Sequence, residues 1–228
     1  MNWINNKGLY KSNDESVLNK NEITLVKFKS SFCFFDKNYS EILINIDGLV
    51  KLDIQSEKRK KIRTSNYESV IFPLDEALIF PFMAHVSQNA SNSKITHYFA
   101  NDKETLKNII CDLKILNLGE VLIEWALVIT WYDLVPAGNE KLNKSNTFQL
   151  ALIKDKKHTF LIYNYKKIEW EINNKIFALT GYNSKDDDIY HLITSSNNIS
   201  EVLTKSNIEI PSRWIFRVDS NKSNEYKK

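Results

Sequence analysis

Apolar residues in this chain fall mostly in short runs or at every second position, the period of extended backbone. In Glu41–Ile46, Ile42, Ile44 and Ile46 share one side of a strand, so that side is expected to be buried. Asp47-Gly48 follows, then Leu49–Asp53, and this spacing predicts a hairpin closed by a two-residue type I′ turn. Ile23–Phe35 reads as a strand running into an aromatic cluster, and Ile95–Phe99 as a short strand. Glu120–Leu134 is apolar on both faces, which places it inside a packed sheet. Thr147–Ile153 alternates Phe148, Leu150 and Leu152 against Gln149 and Ala151, and His158–Asn164 alternates likewise. The link Lys154–Lys157 makes the two an antiparallel hairpin. Further strands are expected in Lys175–Asn183, Ile189–Ser196 and Ser212–Asp219.

Two stretches break this pattern. Val70–Val86 is apolar but carries Pro73 and Pro81, which argue for short edge strands and turns. Leu106, Ile109, Ile110 and Leu113 follow the i, i+3, i+4, i+7 rule of a helix face. Asn101 and Glu104 have the spacing of a capping box, and the helix is expected to end before Gly119. Many short strands with one or two short helices predict a mostly β, antiparallel, sandwich-like single domain over residues 22–219. Residues 1–21 read as a flexible polar arm and 220–228 as a disordered tail.

At 228 residues the chain is long enough to bury a full core without disulfides or metals. Five glycines are few for so many turns, so Asn and Asp are expected to carry them. A net charge of +3 calls for no nucleic-acid partner. Cys33 and Cys111 fit either one bridge or two buried thiols. The N-terminus lacks the apolar core of a signal peptide, and no apolar run approaches the ~20 residues of a membrane span. Direct membrane insertion is therefore not expected. Taken by itself the sequence reads as soluble and not secreted, with a truncated chain as the equal alternative.

Candidate chemistry is sparse. His85, His97, His158 and His191 show no zinc-ligand spacing, and no G-x-S-x-G elbow presents a nucleophile. Asp186, Asp187 and Asp188 have carboxylates for Ca²⁺ but not the spacing of an EF-hand, and read as a solvated loop. No metal or other cofactor is called for. Lys58, Arg59, Lys60, Lys61 and Arg63 form a basic run that suits an anionic glycan as well as a plain solvated loop. Asn38, Asn89, Asn143 and Asn198 (and Asn221 in the tail) begin Asn-x-Ser sequons, candidate glycosylation sites. Trp125, Trp131, Phe148, Trp170, Trp214 and Phe216 sit in apolar strands and are expected to anchor the core.

Five blocks, in order, carry a resemblance. Phe28–Leu52 has Phe34, Phe35, Tyr39, Asn45 and Gly48. Phe72–Val86 has Phe-Pro-Leu and then Pro-Phe. Leu127–Leu134 contains Thr130-Trp131. Asn146–Trp170 begins Asn-Thr-Phe-Gln and passes through Tyr163-Asn164-Tyr165. Leu179–Asn183 is followed by Ser206–Asp219. Together they resemble the NIDO domain, the module named for nidogen, over residues 22 to 219. The resemblance implies an extracellular module of cell–matrix adhesion that contacts matrix or cell-surface proteins and has no shared catalytic centre. Met83-Ala84-His85 departs from the family's Trp-Ala-Asp, and Asp155-Lys156 from its Asp-Gly. Glu209 and Ser212 stand where glycines are common, so strained turns are expected at these departures. The alternatives are a hydrolase whose site is assembled in space, or a degenerate, stand-alone intracellular domain.

Overall fold

The computed structural model describes residues 8–18, 23–54, 72–87, 92–138, 141, 143–170, 178–185 and 189–220. These residues form two antiparallel sheets stacked face to face, with strands β1 Ser16–Val17, β2 Thr24–Phe34, β3 Lys37–Asn45, β4 Leu49–Lys51, β5 Ala77–Met83, β6 Val86–Ser87, β7 Lys94–Phe99, β8 Ile123–Pro136, β9 Asn146–Asp155, β10 Thr159–Ile168, β11 Leu179–Ser184, β12 Tyr190–Ser195 and β13 Arg213–Arg217. One sheet runs β1-β7-β8-β9-β10-β13, with β6 also on β8; the other runs β12-β11-β5-β4-β3-β2. Helix α1, Lys103–Leu113, leads into a 3-10 turn, Lys114–Leu116.

Period-two alternation places one set of rings between the sheets. Leu127, Ile129, Trp131, Phe148, Leu150, Leu152, Tyr163 and Tyr165 meet Phe32, Phe34, Ile42, Ile44, Val50, Ile79 and Phe82. Trp131 stacks on Phe148 with centroids 5.2 Å apart. The other face of β8, β9 and β10 is apolar too. Val128, Ala151, Ile153, Phe160 and Ile162 pack under Ile109 and Leu113 of α1. The seven-stranded sheet is thus buried on both faces, as the double apolarity of β8 predicts. Trp131, Phe148, Trp170 and Phe216 are buried as expected, and Trp125 and Trp214 pack against the core from its margin.

Polar tips on three of these rings tie the sheets together. Trp131 Nε1 donates to Asn45 O at 3.0 Å, Tyr163 Oη to Gly181 O at 2.8 Å and Tyr165 Oη to Pro81 O at 2.7 Å. The last two acceptors lie where the β5–β11 ladder slips register. That slip also explains a departure from expectation. Pro81 argues for an edge strand, yet β5 lies between β4 and β11. Phe80 and Met83 pair with Gly181 and Leu179, so β5 spends an extra residue at Pro81, and a bulge is where an interior strand tolerates a missing donor.

Local turn chemistry differs in three further places. The β3–β4 connection is three residues, not two, since Asn45 pairs with Leu49. Gly48 alone in it takes positive φ (+74°), which fits a three-residue hairpin and not type I′. The helix is capped by Asp102, one residue beyond Asn101, its carboxylate accepting from Thr105 N at 2.7 Å. At the β9–β10 turn, Lys156 keeps negative φ, because the Asp155 carboxylate receives the amides of Lys157 (2.7 Å) and His158 (2.5 Å). The strain expected there is absent. At Glu209 and Ser212 it is present, with φ of +62° and +68°. Cys33 and Cys111 are both free thiols.

Two stability outcomes follow. A Cβ added at Gly48 would lie 1.9 Å from Phe82 O in a backbone that already has positive φ. Gly48→Ala should cost at least about 3 kcal/mol in urea denaturation. Glu209→Gly and Ser212→Gly, by relieving left-handed strain on side chains that are not buried, should each add about 0.5–1 kcal/mol in the same assay.

Candidate functional site

Five strands of the seven-stranded sheet place a polar residue at the same level. Thr96 pairs with Thr130, Thr130 with Gln149, Gln149 with Asn164, and Asn164 with Arg213. Each sits in a strand whose neighbours on that face are mostly apolar, and all five are buried. They form a straight polar row across the outer face. The next level of the same face, Tyr98, Val128, Ala151, Ile162 and Ile215, is almost wholly apolar and belongs to the core beneath α1.

Buried polar groups need partners, and this row finds many of its partners in one chain segment. Residues 8–18, inside the stretch expected to be a flexible arm, cross the sheet along the row from β13 to the free side of β7. Gln149 reads the backbone of Tyr10 on both sides: Oε1 accepts from Tyr10 N at 3.0 Å, and Nε2 donates to Tyr10 O at 2.9 Å. The same amide donates to Thr130 Oγ1 at 2.8 Å and accepts from Asn164 Nδ2 at 3.1 Å. Arg213 donates to Asn164 Oδ1 at 2.8 Å, to Asp112 Oδ1 at 2.6 Å and to Gly8 O at 3.1 Å. Thr105 Oγ1 donates to Lys11 O at 3.2 Å. At the far end Ser16 and Val17 pair with His97 and Thr96 as a short added strand, and Leu18 N donates to Ile95 O at 2.9 Å.

Tyr10 is the side chain this segment inserts beside the row. Its ring lies 5.7 Å from the Arg213 guanidinium, and its hydroxyl donates to the Asp112 carboxylate. Burial drives the Tyr10 hydroxyl well above its ordinary pKa, so it stays protonated and donates. Burial also raises Asp112, against the pull of Arg213. The helix therefore contributes an acid to its buried face, where the apolar periodicity gives no hint of one.

Two constellations bear on the hydrolase alternative. Ser145 Oγ receives a hydrogen bond from Lys167 Nζ at 2.6 Å. Burial alone would lower the pKa of Lys167, but Asp133, at 2.7 Å, and Glu169 outweigh it and raise it, so the amine stays charged and cannot act as a base. His158 Nδ1 lies 3.3 Å from Asp219, whose backbone O accepts from Cys33 Sγ. Burial works to raise Asp219, but Arg217 and His158 hold it below the usual carboxylate range, while burial raises the Cys33 thiol. That thiol is neutral, not a poised thiolate. Among the described residues no three His, Cys, Asp or Glu side chains converge as a metal site.

Of the residues singled out from the sequence, Asn38 lies exposed on β3, Asn143 exposed before β9 and Asn198 exposed after β12. The structure brings none of them to the polar row. Lys58, Arg59, Lys60, Lys61 and Arg63, Asn89, Asp186–Asp188 and Asn221 lie outside the described residues. The row is not among the residues that the sequence pattern singles out. Its signal was a single polar residue set into each of several apolar strands, with Gln149 the clearest case.

A family model described as the nidogen-like domain matches residues 40–220. Alpha-tectorin of Gallus gallus is 24% identical over 211 residues, 85% of this chain and 10% of its own length. Nidogen of Drosophila melanogaster is 23% identical over 219 residues, 86% of this chain and 15% of its own. Dendrite extension defective protein 1 of Caenorhabditis elegans is 24% identical over 189 residues, 81% of this chain and 16% of its own. The chain thus spans a sixth or less of the length of these relatives. No solved structure matches it. The match over most of its length, on a body of two stacked antiparallel sheets, makes this chain a member of the nidogen-like (NIDO) domain family.

Proposed function

We propose that this chain is a non-catalytic, extracellular-type interaction module, occupying residues 22–219, that contacts matrix or cell-surface proteins. The observation that carries this reading is the nidogen-like match over residues 40–220, shared with alpha-tectorin and nidogen. A scaffold with rings clamped between two sheets suits such a role, because loops on a rigid body present fixed contacts. The chemistry of Ser145–Lys167 and of Cys33 supports a role without catalysis. Neither the Lys167 amine nor the Cys33 thiol offers a free base or an activated nucleophile.

Localisation outside the cell rests on the same family ties, and the exposed sequons at Asn38, Asn143 and Asn198 suit it. The free thiols Cys33 and Cys111 favour the runner-up, a stand-alone intracellular domain, since oxidising compartments tend to pair cysteines. The basic run Lys58, Arg59, Lys60, Lys61 and Arg63 is assigned to anionic glycans of the matrix.

Secretion of the chain from animal cells behind an added leader should yield a product whose mass falls on treatment with peptide N-glycosidase. An unglycosylated, folded, secreted product would remove the glycan assignment. On a heparin column the wild type should elute at higher salt than the Lys58/Arg59/Lys60/Lys61→Ala variant. Identical elution would sink the anionic-glycan contact.

A further inference from the structure

The segment 8–18 is held in the manner of a bound peptide. Its contacts with the sheet and with α1 are made chiefly by main chain: Gly8 O, Tyr10 N and O, Lys11 O, the short β1 ladder and Leu18 N. Tyr10 fills a specific niche and Leu18 is buried at the end, while Gly8, Lys11, Asn13, Asp14, Ser16 and Val17 are exposed. Backbone pairing for affinity, with one anchoring side chain for selectivity, is the grammar of strand addition.

The floor beneath this strap differs from the floor beneath α1. Helix α1 covers Val128, Ala151, Ile153 and Ile162, so lifting it would expose apolar surface to water. The strap covers Thr130, Gln149, Asn164 and Arg213, whose groups water can satisfy. Its departure takes Tyr10 and Leu18 out of the two apolar clusters but otherwise uncovers polar groups, so it costs the body less than the loss of α1. With the strap seated, the space left beside Asn164 and Arg213 is about 20 Å³, room for a water and nothing larger.

We propose that the polar row is a docking site for an extended, tyrosine-bearing segment, which residues 8–18 fill in cis and the same segment of a second copy fills in trans. Exchange of an identical element is a low-cost route to association. The cis strap competes at an effective concentration on the order of mM, so trans docking needs crowded copies or a weakened cis contact. The inference stands apart from the matrix-module reading: heparin and glycan results leave it untouched, and its failure leaves them untouched.

The test uses the full chain carrying Tyr10→Ala and a fluorescein-labelled peptide of residues 8–18. Saturable binding is expected to the variant and at least 10-fold weaker binding to the wild type, whose site is occupied. Replacing the peptide's Tyr10 by Phe should weaken it, and adding Gln149→Ala to the variant should abolish binding. A folded Tyr10→Ala chain that ignores the peptide, or that binds a scrambled peptide equally, overturns the proposal. Should Tyr10→Ala fail to fold, hydrogen exchange on the wild type decides. The Tyr10 amide should exchange at least 100-fold faster than those of Leu150 and Ile162. Equal rates would mean the strap leaves only with global unfolding, and would overturn the proposal.

Discussion

The structure depends on rings that are apolar along their length and polar at the tip. Trp131, Tyr163 and Tyr165 cross the gap between the sheets, and each ends on a backbone carbonyl of the opposite sheet. A buried N–H or O–H without a partner costs about 1–3 kcal/mol, so each such bond penalises any sliding of one sheet over the other. Dispersion and apolar burial hold the layers together with little preference for register; these three bonds, with that of Trp125 Nε1 to Ser30 Oγ at the margin, set it. Two of the carbonyls are available because the β5–β11 ladder slips at Pro81 and Gly181. Gly181, at φ +150°, sits so close to His191 O that an added Cβ would fall 1.9 Å from it. The irregularities of one sheet are thus the attachment points of the other.

What the sequence makes legible is whatever depends on local period. The double-faced apolarity of β8, the β9–β10 hairpin, the helix face of Ile109 and Leu113, and the burial of Trp131 and Phe148 can all be read from neighbours within a few positions. Pro81 misleads because the bulge that tolerates it is made with β11, about a hundred residues away. The cap shifts from Asn101 to Asp102 because both types cap well and tertiary packing chooses between adjacent candidates. The polar row is least legible of all. Its members are scattered between residues 96 and 213, and only strand register brings them level. Glu209 and Ser212 offer a contrast: the resemblance expects glycine at both, and both take positive φ.

Seen as a whole, the outer face of the seven-stranded sheet is divided by chemistry. One part is apolar and roofed by α1. The other is polar and roofed by a peptide-like strap. Asp112 joins the two, since it belongs to the helix, bonds Arg213 of the row and accepts from Tyr10 of the strap. The same carboxylate that helps seat the strap is held up in pKa by burial, so its ionisation is tied to how fully that corner is closed.

The path of the strap also has a mechanical meaning. Gly8 is bonded to Arg213 on one edge strand and Ser16–Val17 run along β7 near the other, so the part between them lies across the strands. A pull on the chain at Gly8 meets these contacts one after another, Arg213 first and then Gln149, and peels them singly. A pull at Ser220 runs along β13 and strains its five pairs with β10 together. The two ends therefore yield very differently under tension. The strap, roughly 35 Å long when fully extended, can leave the surface while the sandwich stays shut.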